Sequence, residues 1–399
     1  MKKYVKPRHR FYFAFARPIV RMLARKFHFK TKVQKLKKGQ NYLIFSNHQG
    51  YLDPAFMALS IKAPVYFVTT DVLYSTKWYL RLLFHCFAPI KKRKGFADIA
   101  CIRTMHQIAR EGGNVAVFPE GNRQWNDFQF YIDRAAVKLV RLLKLPLILY
   151  NIHGGYGVQP RWGKKIRKGR HTGEINEIIA WEEIEKMSDD ELYERMKAGL
   201  KVIDSDSGEL YKSKERAEYL ERQLYICPKC GAQSTLHSKG SELTCTSCGL
   251  SVTYGENLRL TSPDPDFHFQ KLVDWYTFQQ ERVRGLDLEA ADELCGDEQV
   301  SLFDKTKQER VLVASGKMSL HKDKLTVGDW QISTSEIYGG CAQDGQKMTF
   351  NAGDKSYLII GHERFNAIKY LLLFNRICEQ IANKGGDKYY GLYLDPAQR

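Results

Sequence analysis

The chain has 399 residues, 43% hydrophobic and 27% charged, with a formal net charge of +17. This length allows two or three domains, each with its own core, and the excess of cations points to an anionic partner. No N-terminal stretch pairs an apolar run with a small-residue cleavage site, which argues against a secretory leader, and no uncharged apolar run approaches the roughly 18 residues that a spanning helix needs.

The charge is unevenly placed: residues 1–173 carry 34 Lys/Arg against 7 Asp/Glu, and residues 174–399 carry 28 against 38. Two functional halves are expected. Residues 1–40 interleave basic and aromatic side chains, and a helix is expected from Pro18 to Phe27. On it Arg21 and Arg25 share one side, with Arg17 just ahead, and Ile19, Val20, Met22, Leu23 and Phe27 form a broad apolar arc. Such a helix suits the surface of an anionic bilayer, and the same pattern also describes a helix packed on a domain core.

From residue 41 to 180 strands and helices alternate. "NYLIFS", "PVYFVT", "API", "NVAVF" and "PLILYNI" read as strands, and helices are expected over 54–61, 76–87, 97–110 and 132–143. That alternation predicts an α/β domain, a mostly parallel sheet flanked by helices. Residues 181–224 are acidic and helical in period, a connector interrupted by "DSDSGE" at 204–209, which reads as a solvated turn. A cysteine-rich module follows at 225–260. Residues 261–399 predict a helix near 267–283, several short β runs from 300 to 361, and a closing helix over 363–383. This small β-rich domain capped by a C-terminal helix resembles pleckstrin-homology-like modules in element order alone.

"SNHQGYLDP", residues 46–54, places His48 five positions ahead of Asp53 at the end of a buried strand. Acyl transfer to a hydroxyl needs a base that takes the alcohol proton, and imidazole suits this near neutral pH. A carboxylate on the other ring nitrogen fixes the tautomer, as in serine hydrolase triads, with the substrate hydroxyl in place of the serine. Taken alone, the pair also fits a turn in which Asp53 caps the following helix. "VFPEGNRQW", residues 117–125, follows a second buried strand, and two loop motifs at one sheet edge suggest a single site.

These blocks resemble the glycerolipid acyltransferases of the lysophosphatidic acid (1-acylglycerol-3-phosphate) acyltransferase family. The matches are Asn47, His48 and Asp53 in the Asn-His-x4-Asp block, "APIKKR" ending at Arg93, and Phe118, Pro119, Glu120, Gly121 and Arg123 in the Phe-Pro-Glu-Gly-x-Arg block, with "LPLILY" downstream. The likeness spans residues 15–180. It implies transfer of a fatty acyl group from a thioester, acyl-CoA or acyl carrier protein, to the free hydroxyl of a lysophospholipid, with His48 as base and Asp53 as its orienting acid. It also implies phosphate and glycerol binding by Arg93, Glu120, Gly121 and Arg123, and a guanidinium fork suits a phosphate. Gly50 stands where the family usually has serine, Asn122 where it has threonine and Phe87 where it has glycine, and a second family proline is missing near Leu149. These departures bear on the acceptor.

Cys227, Cys230, Cys245 and Cys248 follow the spacing C-x2-C-x14-C-x2-C, with a glycine after each pair. Four thiolates so spaced are the ligand set of a closed structural zinc site and resemble the zinc ribbons. The acidic balance after residue 173 argues against nucleic acid as their partner. The expected protein is therefore a peripheral acyltransferase at the cytoplasmic face of an anionic membrane, carrying a structural zinc ribbon. Two alternatives stand beside it: an adaptor with an inert acyltransferase domain and a protein-docking ribbon, and an acyltransferase for a different glycerol phosphate or glycolipid acceptor.

Overall fold

The computed structural model describes residues 3–70, 78–92, 98–129, 131–306, 309–343 and 345–382. The chain forms two compact units, Met1–Pro160 with Ile166–Tyr211, and Arg161–Lys165 with Lys212–Arg399.

The first unit runs α1 (Pro7–Lys26), β1 (Phe29–Thr31), β2 (Leu43–Ser46), α2 (Asp53–Ser60), β3 (Val65–Thr70), α3 (Trp78–Phe87), β4 (Ile90–Lys92), α4 (Ile99–Arg110) and β5 (Asn114–Val117). It continues through α5 (Ala135–Leu143), β6 (Leu147–His153), α6 (Gly155–Val158), β7 (His171–Ile179), α7 (Trp181–Ile184) and α8 (Asp189–Gly199). Its seven strands lie in the order β1-β7-β6-β2-β5-β3-β4, all neighbours parallel except β6 and β7. Central strand β2 is buried throughout, and Phe45 pairs with Val117 of β5 and Leu149 of β6. The loops that leave β2, β5 and β6 therefore emerge side by side. That register places the site.

Three expectations change. The first helix begins at Pro7 rather than Pro18, with Pro7 in its first turn, where the missing amide costs nothing. Arg17 does not belong to a solvent-facing cationic side: its guanidinium donates to the carbonyls of Ala58 and Ile61, each at 3.1 Å, and of Leu59 at 2.6 Å, at the end of α2. The turn at 204–209 is not solvated at its start, because Asp204 and Ser205 are buried. Within the acidic stretch from 181, α8 turns Leu192, Tyr193 and Met196 into the core of the first unit.

The second unit holds a small antiparallel sheet of β8 (Leu236–Lys239), β9 (Glu242–Cys245), β10 (Ser251–Tyr254) and β11 (Leu260–Thr261), then α9 (Leu272–Arg284). A seven-stranded sheet follows, of β12 (Cys295–Asp304), β13 (Val311–Leu320), β14 (Lys324–Val327), β15 (Trp330–Ser333), β16 (Ile337–Gln343), β17 (Lys347–Ala352) and β18 (Lys355–Ile360). Helix α10 (Ala367–Ala382) closes the unit, and its Ile368, Leu371, Leu372 and Phe374 are buried. Among the described residues no helix is long and apolar enough to cross a membrane.

Candidate active site

His48 sits in the loop between β2 and α2, with Nδ1 2.8 Å from Asp53 Oδ2. The same oxygen accepts the amides of Gln49 and Gly50, both at 2.8 Å. Asp53 thus reaches back into the loop, and the N-cap of α2 is Leu52, without a side-chain cap. A carboxylate with three donors on one oxygen is held in place by them. Its Oδ1 is buried with no partner among the described residues. A Cβ at position 50 would come 2.9 Å from that oxygen, so glycine keeps the carboxylate clear.

The loop is anchored at its first two residues. Asn47 exchanges two hydrogen bonds with the backbone of Ile152 in β6, both 2.8 Å, and the His48 carbonyl accepts from the Gln124 amide at 2.9 Å. The His48 ring stacks on Phe118, centroids 4.2 Å apart. After β5, Phe118 to Gly121 form a tight turn closed by Gly121 N to Phe118 O at 3.0 Å, with Gly121 at φ +68°. Glu120 is buried, and its Oε1 accepts the His48 amide at 3.3 Å. Asp53 meets the ring at Nδ1 and so fixes its orientation in the loop.

Residues 25–152 match the model of the family described as "Acyltransferase". That match lies within the first unit. A crystal structure of the 1-acyl-sn-glycerophosphate (LPA) acyltransferase PlsC from Thermotoga maritima is similar at 18% identity and a TM-score of 0.40, over 47% of this chain and 76% of that one. No curated protein matches the chain.

Within the matched stretch the structure brings His48, Asp53, Glu120 and Gly121 into adjoining loops, and Arg123 follows in the second of them. Arg93 and its neighbour Lys94 lie outside the described residues. Lys91 and Lys92 are exposed on β4.

Sequence reasoning missed a buried polar layer behind the dyad. Gln49 Oε1 accepts the Gly155 amide at 2.8 Å, and Gln49 Nε2 donates to Asp204 Oδ1 at 3.3 Å. Asp204 also accepts the amides of Gly154 at 2.7 Å and Gly157 at 3.1 Å. Asp127 accepts the amides of Asp204 and Ser205, at 2.7 and 2.6 Å. The available signal was "HGGYG", residues 153–157, a glycine cluster directly after a buried strand. A Cβ at Gly154 would sit 1.9 Å from the Arg170 carbonyl, and one at Gly155 2.8 Å from Gln49.

Burial and the nearby Asp204 push the Asp127 carboxyl up to about 7, and burial raises Asp204 as well. Between the unfolded value near 3.8 and about 7 the folded chain holds a proton that the unfolded chain has lost. Stability from this pair is therefore greatest at low pH and falls as pH rises through that window. Urea denaturation at pH 5, 6, 7 and 8 is expected to show that decline, with Asp127→Asn shallower by up to about 1.4 kcal/mol per pH unit. Equal slopes in parent and variant would contradict it.

In the second unit the sulfurs of Cys227, Cys230, Cys245 and Cys248 all lie within 4.8 Å of one another, with Cys227 to Cys248 at 3.7 Å and Cys230 to Cys245 at 3.8 Å. Gly231 and Gly249 adopt φ of +73° and +75°, and their amides return to the carbonyls of Cys227 and Cys245. This cluster can hold a metal ion.

Proposed function

We propose that this protein is a peripheral O-acyltransferase that moves a fatty acyl group from acyl-CoA or acyl carrier protein to the free hydroxyl of lysophosphatidic acid or a related lysophospholipid. The observation that carries this reading is the His48–Asp53 pair at 2.8 Å, beside the Glu-Gly-x-Arg turn of an acyltransferase-family domain. His48 Nε2 takes the hydroxyl proton as the oxygen attacks the thioester carbonyl. The ester C–O bond forms, the C–S bond breaks, and the proton passes to the departing thiolate. Asp53 holds the ring and stabilises the imidazolium. Arg123, with Arg93, is assigned to the acceptor phosphate, and Gly50 and Asn122 are where a different acceptor would be discriminated. Glu120, on the His48 amide, ties the phosphate-binding turn to the base.

The test is transfer of a labelled acyl chain to lysophosphatidic acid in vesicles with each donor in turn. Label in phosphatidic acid supports the reading. Label only in another lyso acceptor would move the specificity, and none in any acceptor would favour an adaptor.

Membrane attachment is assigned to α1. Phe11, Phe15, Ile19 and Met22 are 53–68% exposed, and at 100° per residue they share one arc, with exposed Arg8, Arg25 and Lys26 alongside. Phe11→Ser with Phe15→Ser is expected to weaken sedimentation with anionic vesicles by roughly tenfold or more per residue, because burying a Phe side chain is worth about 1.5–3 kcal/mol. High salt should weaken binding further, through loss of the cationic contribution. Binding unchanged in the double variant would sink this assignment.

Zinc is assigned to the four cysteines. Sulfurs at the corners of a tetrahedron with Zn–S of about 2.3 Å are about 3.8 Å apart, which the pairs at 3.7 and 3.8 Å fit. The ion would be structural, since four thiolates leave no position for substrate.

A further inference from the structure

We propose that Asp204 is a positioning residue of the acyl-transfer site, holding the loop that carries His48 through Gln49 although it lies well beyond residue 152, where the family match ends. The proposal rests on the reading of His48 as the base.

A continuous path of hydrogen bonds supports it. His48 Nδ1 meets Asp53 Oδ2, that oxygen accepts the Gln49 amide, and the Gln49 side chain donates to Asp204 Oδ1. Gln49 and Asp204 are both buried, so water does not compete for these contacts. Together they take up the amides of Gly154, Gly155 and Gly157 at the turn after β6. The backbone amides of Asp204 and Ser205 meanwhile bind the Asp127 carboxylate, at the far end of the segment that begins with the Glu-Gly-x-Arg turn. One short turn thus joins the loops after β2, β5 and β6. Every polar atom of the Asp204 carboxylate faces a donor that belongs to the site's own scaffold. An amide in its place would turn one N–H group toward those N–H donors and loosen the grip on Gln49.

The experiment uses the full-length protein and Asp204→Asn, Gln49→Ala, the two combined, and Ser207→Ala as a control. Ser207 lies in the same turn, and its hydroxyl bonds the Asp204 carbonyl at 2.6 Å without touching the carboxylate. Assays are run where thermal melts show each variant folded. Asp204→Asn is expected to lower kcat by about 10²-fold, as displacement of a reacting group by about 1 Å does, with KM for donor and acceptor changed by less than about threefold. Gln49→Ala should lower kcat in the same direction, the double variant should be no worse than Asp204→Asn, and Ser207→Ala should match the parent. The downfield Nδ1–H resonance of His48 should be lost or broadened in Asp204→Asn.

A folded Asp204→Asn with parental kcat and an unchanged His48 resonance would overturn the proposal. So would losses in the two single variants that multiply in the double. If Asp204→Asn fails to fold, the kcat and His48 resonance of Gln49→Ala decide the matter. The resonance also separates the two readings: activity retained in His48→Ala, with the resonance lost in Asp204→Asn, would overturn the base assignment and leave the positioning of His48 by Asp204 standing.

Discussion

His48→Ala is expected to lower kcat for acyl transfer by about 10²- to 10⁴-fold, the range a positioned general base contributes, and to leave KM for the acceptor nearly unchanged. The imidazole is held by Asp53 on one nitrogen and by stacking on Phe118, and an alanine in its place leaves neither a base nor a ring at that position. Asp53→Asn should cost less than His48→Ala. All three donors meet Oδ2, and among the described residues none meets Oδ1, so an asparagine carbonyl can take the place of Oδ2, keep the tautomer and lose only the charge that would stabilise an imidazolium. Asp53→Ala should cost more than Asp53→Asn, because the Gln49 and Gly50 amides then lose their acceptor and the loop its shape. Initial rates over a range of acceptor concentrations for the three variants give the order His48→Ala, Asp53→Ala, Asp53→Asn from slowest to fastest, or the first two alike. A folded His48→Ala with parental kcat would remove His48 as the base.

What the sequence made legible follows from how each element is buried. Strands β2, β5 and β6 are apolar runs because both of their faces are buried, and such runs need no alignment to be read. Strand β7 escaped because its burial is intermittent along "HTGEINEII", with Glu174 and Asn176 among its less buried positions, and β1 because three residues carry no period. Helix α1 starts at Pro7, about three turns ahead of the expected Pro18: its first half is basic and aromatic, and its exposed side, not its core side, carries Phe11 and Phe15. For the site, the legible part is what lies close in sequence. His48 and Asp53 are five residues apart, and Glu120 to Arg123 are nearly contiguous. Gln49 and Asp204 are distant in the chain, and a polar residue in "DSDSGE" looks solvated until the fold buries it. Long-range hydrogen bonds between buried polar side chains leave no periodicity to read.

Removal of metal from the cysteine cluster should unfold the ribbon and loosen the second unit, while acyl transfer per folded first unit is retained. Binding energy for four thiolates around Zn²⁺ is folding energy, of the order of 10–16 kcal/mol at neutral pH for small zinc modules, because β8 to β11 are too small to bury a core that replaces it. The ribbon is also tied into its unit: Trp275 Nε1 of α9 donates to the Ile226 carbonyl at 2.9 Å, Gln279 Oε1 of α9 accepts the Ile226 amide at 3.0 Å, and buried Lys369 of α10 reaches Ser234 at 3.2 Å. Loss of the ion therefore takes away the partners of two helices as well as its own four ligands. Cys245→Ser, or a strong chelator added to the parent, is expected to bring rapid proteolysis within residues 225–260 and a lower melting transition for the second unit. The parent should contain one equivalent of zinc by elemental analysis. An unchanged melting profile after the metal is stripped would show that the cluster folds without it. Loss of acyl transfer in protein whose first unit remains folded would show instead that the ribbon serves the reaction, a role that closed tetrathiolate coordination gives the ion no means to perform directly.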